Sequence, residues 1–179
     1  MIQDNITNIV ATLTLVSHLV FVTVVVLYFI NKDFKNWLYV FVNRYVLNLL
    51  FVTSLSALVG SLIYSNVVGF PPCELCWIQR IFMYPQVLFS FMAMRKKDNS
   101  MVSYLLPMSI LGGLVALYHS MTHFGLGDGV LACTSALVDC GKLYVFEYGY
   151  ITIPFMAFTT FAYLLAISFV YFKSTKERL

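Results

Sequence analysis

Charge is what this sequence has least of. Asp, Glu, Lys and Arg together make up 11% of its 179 residues, against roughly 25% in a soluble globular domain. With 60% hydrophobic residues and a mean hydropathy of +0.84, no stretch is polar enough for a separate soluble domain, and the chain reads as an integral membrane protein. The formal net charge of +3 is too small for a nucleic-acid partner. No Lys or Arg precedes Lys32. The basic start of a cleavable signal peptide is therefore missing, and the first apolar run is expected to be a permanent helix with its N-terminus outside. Cysteine is scarce too, four in all, and the chemistry gathers there.

What is abundant is apolar length. Residues 9–30 carry no charged side chain, and at 1.5 Å per residue they can cross a hydrocarbon core of about 30 Å. Further spans are expected at about residues 46–68, 77–94, 101–120 and 151–172. Ser54, Ser56, Ala57, Gly60 and Ser61 give the second a small-residue face for close helix packing. Pro85 implies a kink in the third. Gly112, Gly113 and Ala116 are the small packing residues of the fourth, and Pro154 sits in the first turn of the fifth, where proline is tolerated. Trp37 and Tyr39 read as interfacial anchors, and Tyr144, Phe146, Tyr148 and Tyr150 as a segment lying at the interface. His18, mid-span, reads as a neutral histidine bonded to a neighbouring helix. His119 and His123 share a helix face but lack a third metal ligand, and read as ordinary interfacial histidines.

The basic residues orient the spans. Lys32, Lys35, Arg44, Arg95, Lys96, Lys97, Lys173, Lys176 and Arg178 fall on one side, and Arg80 and Lys142 on the other. The positive-inside rule puts the larger set in the cytoplasm, with the C-terminus, and all four cysteines outside. Disulfides persist in that compartment.

One stretch concentrates reactive groups: Cys73-Glu74-Leu75-Cys76-Trp77-Ile78-Gln79-Arg80, just after Pro71-Pro72. On a helix, Cys73, Cys76 and Arg80 would lie at about 0°, 300° and 340°, on one face. A helix N-terminus and a nearby guanidinium both favour the thiolate, the species that attacks disulfides. Four cysteines allow three pairings; the local ones, Cys73–Cys76 and Cys133–Cys140, are favoured, and two such pairs on adjoining loops can exchange two electrons. A three-apart pair closes too small a loop to be a good staple. The spacing of Cys133 and Cys140 suits a zinc ribbon badly, so no metal is expected.

These residues resemble the disulfide bond formation protein B family. The run from Pro72 through Cys73, Cys76 and Arg80 to Pro85 is similar to its BdbC branch, common in Gram-positive bacteria, as are Leu106-Pro107-Met108, Cys140-Gly141 and Tyr150-Ile151-Thr152-Ile153-Pro154-Phe155. The resemblance covers about residues 46–172. It implies an all-α membrane protein: a four-helix transmembrane bundle with two extracytoplasmic cysteine loops over 46–179. Residues 1–45 would then be an extra N-terminal transmembrane helix and a basic cytoplasmic linker, without counterpart in the usual members. The implied activity is a quinone-dependent protein-disulfide oxidoreductase of the plasma membrane. It would reoxidise an extracytoplasmic thioredoxin-fold partner of the DsbA or BdbD kind and pass electrons to menaquinone or ubiquinone. Cys133 and Cys140 would face the partner, Cys133 forming the mixed disulfide. Cys73 and Cys76 would face the quinone, with Cys76 and Arg80 contacting it. The second pair is closer together than in enterobacterial members. The competing readings are a vitamin K epoxide reductase-like quinone-coupled protein, and a non-enzymatic membrane protein with structural disulfides or bound Zn.

Overall fold

The computed structural model describes residues 2–123 and 140–177. Five long helices form along the chain: α1 (Ile2–Ile30), α2 (Lys32–Leu62), α3 (Glu74–Lys96), α4 (Val102–His123) and α5 (Ile153–Lys176). Among the described residues there is no strand, only one isolated antiparallel bridge between Glu147 and Ile151. Four stretches, Asp4–Ile30, Lys32–Val67, Asn99–His123 and Ile153–Lys176, are long and apolar enough to cross a membrane. At 23 residues α3 has the length, about 35 Å at 1.5 Å per residue, but it carries Gln79, Arg80 and Gln86 in its middle. Its polar groups turn inward: Gln79, Gln86 and Ser90 are buried. The chain is an all-α membrane bundle.

The helix ends follow local chemistry. Asn31 alone separates α1 from α2, and its side-chain oxygen accepts from the backbone N–H groups of Asp33 and Phe34, capping α2. The basic segment after it is thus helix, and α2 continues unbroken through residues 45 and 46. Trp37 is exposed as an interfacial anchor would be, but Tyr39 is buried. Its hydroxyl meets the Tyr28 hydroxyl, 2.9 Å away, and the Glu177 carboxylate, whose Oε1 accepts at 3.4 Å. Past Leu62 the chain takes one π-helical turn, Ile63–Val67, and leaves it at Gly69, whose φ of +83° only glycine adopts without strain. Pro71 and Pro72 keep the next residues extended until Cys73 starts α3. Lys97, with φ 54°, ends α3, and Asp98 accepts from the Ser100 N–H to start the 3₁₀ turn Asn99–Met101 that leads into α4. Thr152 caps α5 by accepting from Phe155 N–H, with Pro154 in the first turn.

The core lies between α2, α3, α4 and α5. Val46, Leu47 and Leu50 of α2, Met83 and Ala93 of α3, Leu105 and Ala116 of α4, and Phe161 and Leu164 of α5 make one buried cluster. Gly112 lets α4 approach α5, since a Cβ there would run into the Phe161 ring. Ser109 donates to Gln86 Oε1 at 2.9 Å, a hydrogen bond between α3 and α4 in a setting where water supplies none. α1 lies on the outside, with Val16, Leu19 and Val20 exposed. It is tied to the bundle by polar pairs, among them His18 Nε2 with Thr159 Oγ1 at 3.0 Å.

Candidate active site

Cys73 is the N-cap of α3. Its φ of −75° and ψ of 175° are extended, and its sulfur accepts from the Cys76 N–H at 3.4 Å. Capping and the position one turn before Cys76 together bring the two sulfurs to 2.9 Å. Both are free thiols, so this structure holds the pair as a dithiol. The hydrogen bond from Cys76 draws Cys73 well below the usual thiol range, and His119 adds to the effect against the opposing pull of burial. Cys73 is the thiolate of the pair and Cys76 keeps the shared proton.

His119 belongs to this site, contrary to the expectation of an interfacial side chain. It is 2% exposed, near the end of α4. Gln79 Nε2 donates to its Nδ1 at 2.9 Å, which leaves the proton on Nε2. That N–H faces the Cys140 carbonyl at 3.2 Å and the Cys73 sulfur at 3.7 Å. His123 Nε2 donates to the same carbonyl at 2.8 Å. The reason is topological: α3 begins where α4 ends, so the motif meets residues about forty positions away. No spacing along the chain contains that pairing, and Gln79, inside the motif, gave no signal of its own.

A three-ligand group does form here, with His119 joined by the two cysteines and without His123. Cys73, Cys76 and His119 offer ligand atoms within 4.8 Å of one another. Two thiolates and an imidazole suit Zn²⁺. A metal there would occupy the same sulfurs that disulfide exchange needs.

Cys140 is disulfide-bonded and packs in one buried cluster with Cys73 and Leu75, with Cys76 against it. Cys133 lies outside the described residues. The segment after Cys140 runs past the site, with Tyr144 against Phe70, ring centroids 4.8 Å apart, and Phe70 against Tyr64 at 6.1 Å. Phe146 and Tyr148 are exposed as interfacial side chains would be.

Arg80 reaches across to α2. Its Nε donates to Ser61 Oγ at 3.0 Å and a terminal nitrogen to the Ser61 carbonyl at 3.3 Å. Its guanidinium lies 5.0 Å from the Trp77 ring and 6.0 Å from that of Tyr84. The small-residue face expected only to pack thus also holds the arginine. Cys73, Cys76, Gln79, Arg80, His119 and Cys140 all border one cavity of about 670 Å³ whose remaining walls are mostly apolar residues of α1, α2 and α5. It is large enough for a drug-sized ring with an apolar tail.

Comparison with known proteins identifies the family. Residues 43–171 match the family model described as disulfide bond formation protein DsbB. The chain is 41% identical over 115 residues to disulfide bond formation protein C of Bacillus subtilis, covering 64% of this chain and 83% of that one. It is 38% identical over 121 residues to a probable disulfide formation protein C of Bacillus cereus, 68% of this chain and 87% of the relative. A probable disulfide formation protein of Oceanobacillus iheyensis is 43% identical over 126 residues, 68% and 85% of the two chains. No solved structure matches. The chain is a multi-pass membrane thiol oxidoreductase that belongs to the DsbB family of disulfide bond formation proteins, similar to its disulfide formation protein C members.

Proposed function

We propose that this protein is a quinone-dependent thiol oxidase. A reduced thioredoxin-fold partner gives two electrons and two protons to the Cys133–Cys140 disulfide and leaves as a disulfide. The resulting dithiol reduces Cys73–Cys76 by exchange, and the Cys73–Cys76 dithiol reduces a membrane quinone, menaquinone or ubiquinone, to the quinol. The cysteine pairs then return to disulfides. The observation that carries this reading is the cavity: a dithiol and a guanidinium border it at one place, and apolar side chains line most of the rest. An acceptor with a polar ring and a hydrocarbon tail fits that division. The contact between Cys140 and Cys73 in one cluster supports exchange between the pairs.

The residue roles divide by position. A thiolate of the reduced Cys133/Cys140 pair attacks Cys73 of the Cys73–Cys76 disulfide and forms a mixed disulfide. The second thiol of that pair resolves it, releasing Cys73 as the stabilised thiolate; Cys76 and Arg80 face the quinone ring. His119 holds a proton at Nε2 within reach of the Cys73 sulfur. Residues 1–45 form the extra helix and basic segment, and residues 46–179 the catalytic bundle. Cysteine loops are outside and the C-terminus is cytoplasmic. That orientation is supported by Lys35 near the start of α2, which pairs with Glu177 at the end of α5 at 3.7 Å, gathering basic residues at the end opposite the cysteines. The decisive experiment mixes the purified oxidised protein with a reduced thioredoxin-fold partner and a quinone. Quinone absorbance should fall in step with partner oxidation; partner oxidation without quinone reduction overturns the reading.

A further inference from the structure

Three tyrosine hydroxyls converge on α1. Tyr163 of α5 lies 3.0 Å from Ser17 Oγ, Tyr150 lies 3.1 Å from His18 Nδ1, and Tyr148 lies 2.9 Å from Thr12 Oγ1. In each pair the tyrosine donates. Ser17 and Thr12 already give their own hydrogens to the carbonyls of Thr14 and Asn8, both at 2.7 Å. His18 gives Nε2–H to Thr159 Oγ1, whose hydrogen goes to the Phe155 carbonyl at 2.7 Å. Facing hydrocarbon, a tyrosine hydroxyl without an acceptor would be costly. The bridges therefore hold α1 in one place and rotation.

That rotation turns Val10, Leu13, Thr14 and Ser17 to the cavity that holds the cysteine pair and Arg80. Across from them stand Ser56 and Gly60 of α2 and Thr160 and Tyr163 of α5. The other side of α1 is exposed at Val16, Leu19 and Val20. The cavity therefore has α1 between it and the lipid. The family match starts only at residue 43, so this wall is an addition to the matched bundle.

We propose that α1 is the outer wall of the quinone cavity, and that Val10, Leu13, Thr14 and Ser17 set which prenylated quinone is held and how tightly. This rests on the quinone reading above and deepens it. A bundle without α1 offers the tail a groove open to lipid, where lipid chains compete on equal terms. With α1 in place the tail lies in a walled slot, and its fit depends on the side chains that α1 presents. Thr14 and Ser17 are small and leave the slot wide; Val10 and Leu13 supply apolar contact.

The test uses the full-length protein in detergent or nanodiscs. Quinone is measured in two ways: the amount extracted from the purified protein, and KM for a long-tailed against a short-tailed quinone. Thr14→Phe puts a ring into the slot. KM for the long-tailed quinone should rise about tenfold or more and the extracted quinone should fall. Single-turnover exchange with the partner should stay unchanged. Leu19→Phe, the same added ring on the lipid side, should behave as wild type. As a second measurement that needs no activity, a benzophenone side chain at position 14 should cross-link to quinone, and one at position 19 should not. Unaltered KM and quinone content in Thr14→Phe, or equal cross-linking from both positions, overturns the proposal alone. A wild-type protein that neither binds nor reduces any quinone overturns the functional reading and this inference with it.

Discussion

A sulfur at a helix N-cap accepts a hydrogen bond and collects positive potential at the same time, and Cys73 does both. Its thiolate is held down first by the Cys76 hydrogen bond and then by His119. The sign follows: the folded pKa lies below the free value of about 8.5, so the thiolate is present at neutral pH and is lost only as pH falls through the lowered value. Ultraviolet thiolate absorbance of the reduced protein should hold steady from pH 8 down to about 6, where a free thiol would have lost it. His119→Leu should move the loss upward. A titration centred at the free value in the wild type would remove the thiolate assignment. Arg80 acts on the other partner in the reaction. In the proposed reaction, negative charge would develop on Cys76 and the quinone oxygens in a poorly solvated place, where hydrogen bonds to charged groups contribute about 1.5–3 kcal/mol each. Arg80→Gln should slow quinone reduction about tenfold or more, since about 1.4 kcal/mol is a factor of ten, and leave partner exchange intact. Arg80→Lys, without the planar fork, should recover part of the loss. Stopped-flow quinone reduction beside partner oxidation distinguishes these outcomes; normal quinone kinetics in Arg80→Gln would leave the residue a headgroup anchor. Replacing Cys140 with Ser, beside a partner lacking its resolving thiol, should accumulate a mixed disulfide through Cys133 on a non-reducing gel. Trapping that survives Cys133→Ser reverses the two roles.

Between elements, the site depends on how closely α4 can approach its neighbours. Phe161 is fully buried, and its ring occupies the space where a Cβ at Gly112 would stand. Gly113 is roomier, its added Cβ meeting Phe161 Cβ at 3.4 Å. Gly112→Ala should therefore destabilise the bundle by about 1–3 kcal/mol, the usual effect of overpacking, while Gly113→Ala should change little. Thermal unfolding of both variants in the same detergent checks the contrast, and equal midpoints would mean the ring moves aside freely. The Gly112 variant should also lose redox activity at lower temperature, because α4 carries His119 to Cys73.

At the scale of the whole molecule, most of the described basic residues lie at the end of the bundle opposite the redox site, where only Arg80 and Lys142 are found. Oxidised protein as purified should contain no stoichiometric Zn by metal analysis, and thiol counting should give cysteines that cycle between disulfide and thiol. One tightly held Zn per chain would instead assign Cys73, Cys76 and His119 to a metal centre and end the oxidase reading. Deleting residues 1–31 should leave quinone reduction measurable, with weaker quinone binding, provided the remainder still inserts in its original orientation. Correct insertion without any activity would make α1 part of the chemistry rather than of the cavity wall.

Composition and spacing determined a good deal alone. Too little charge and too many long apolar runs admit only a membrane bundle, and a C-x-x-C pair with an arginine one turn on is a local pattern, written in consecutive residues of one helix. The start of α3 after Pro71 and Pro72 was legible for the same reason, whereas the Asn31 cap that begins α2 at Lys32 was not, and the basic segment read as a linker is helix. Three-dimensional packing decided what joins distant segments. His119 looked like an interfacial residue until the end of α4 met the start of α3. Ser61 looked like a packing surface until Arg80 bonded to it. His18 was expected to bond a neighbouring helix, but only the folded bundle brings it to Thr159 and Tyr150 and puts the adjoining face of α1 against the cavity. Hydropathy reports that a helix crosses the membrane and carries almost no information on its rotation. In lipid that rotation is set by which few polar side chains find one another, and those partners lie far apart in the chain.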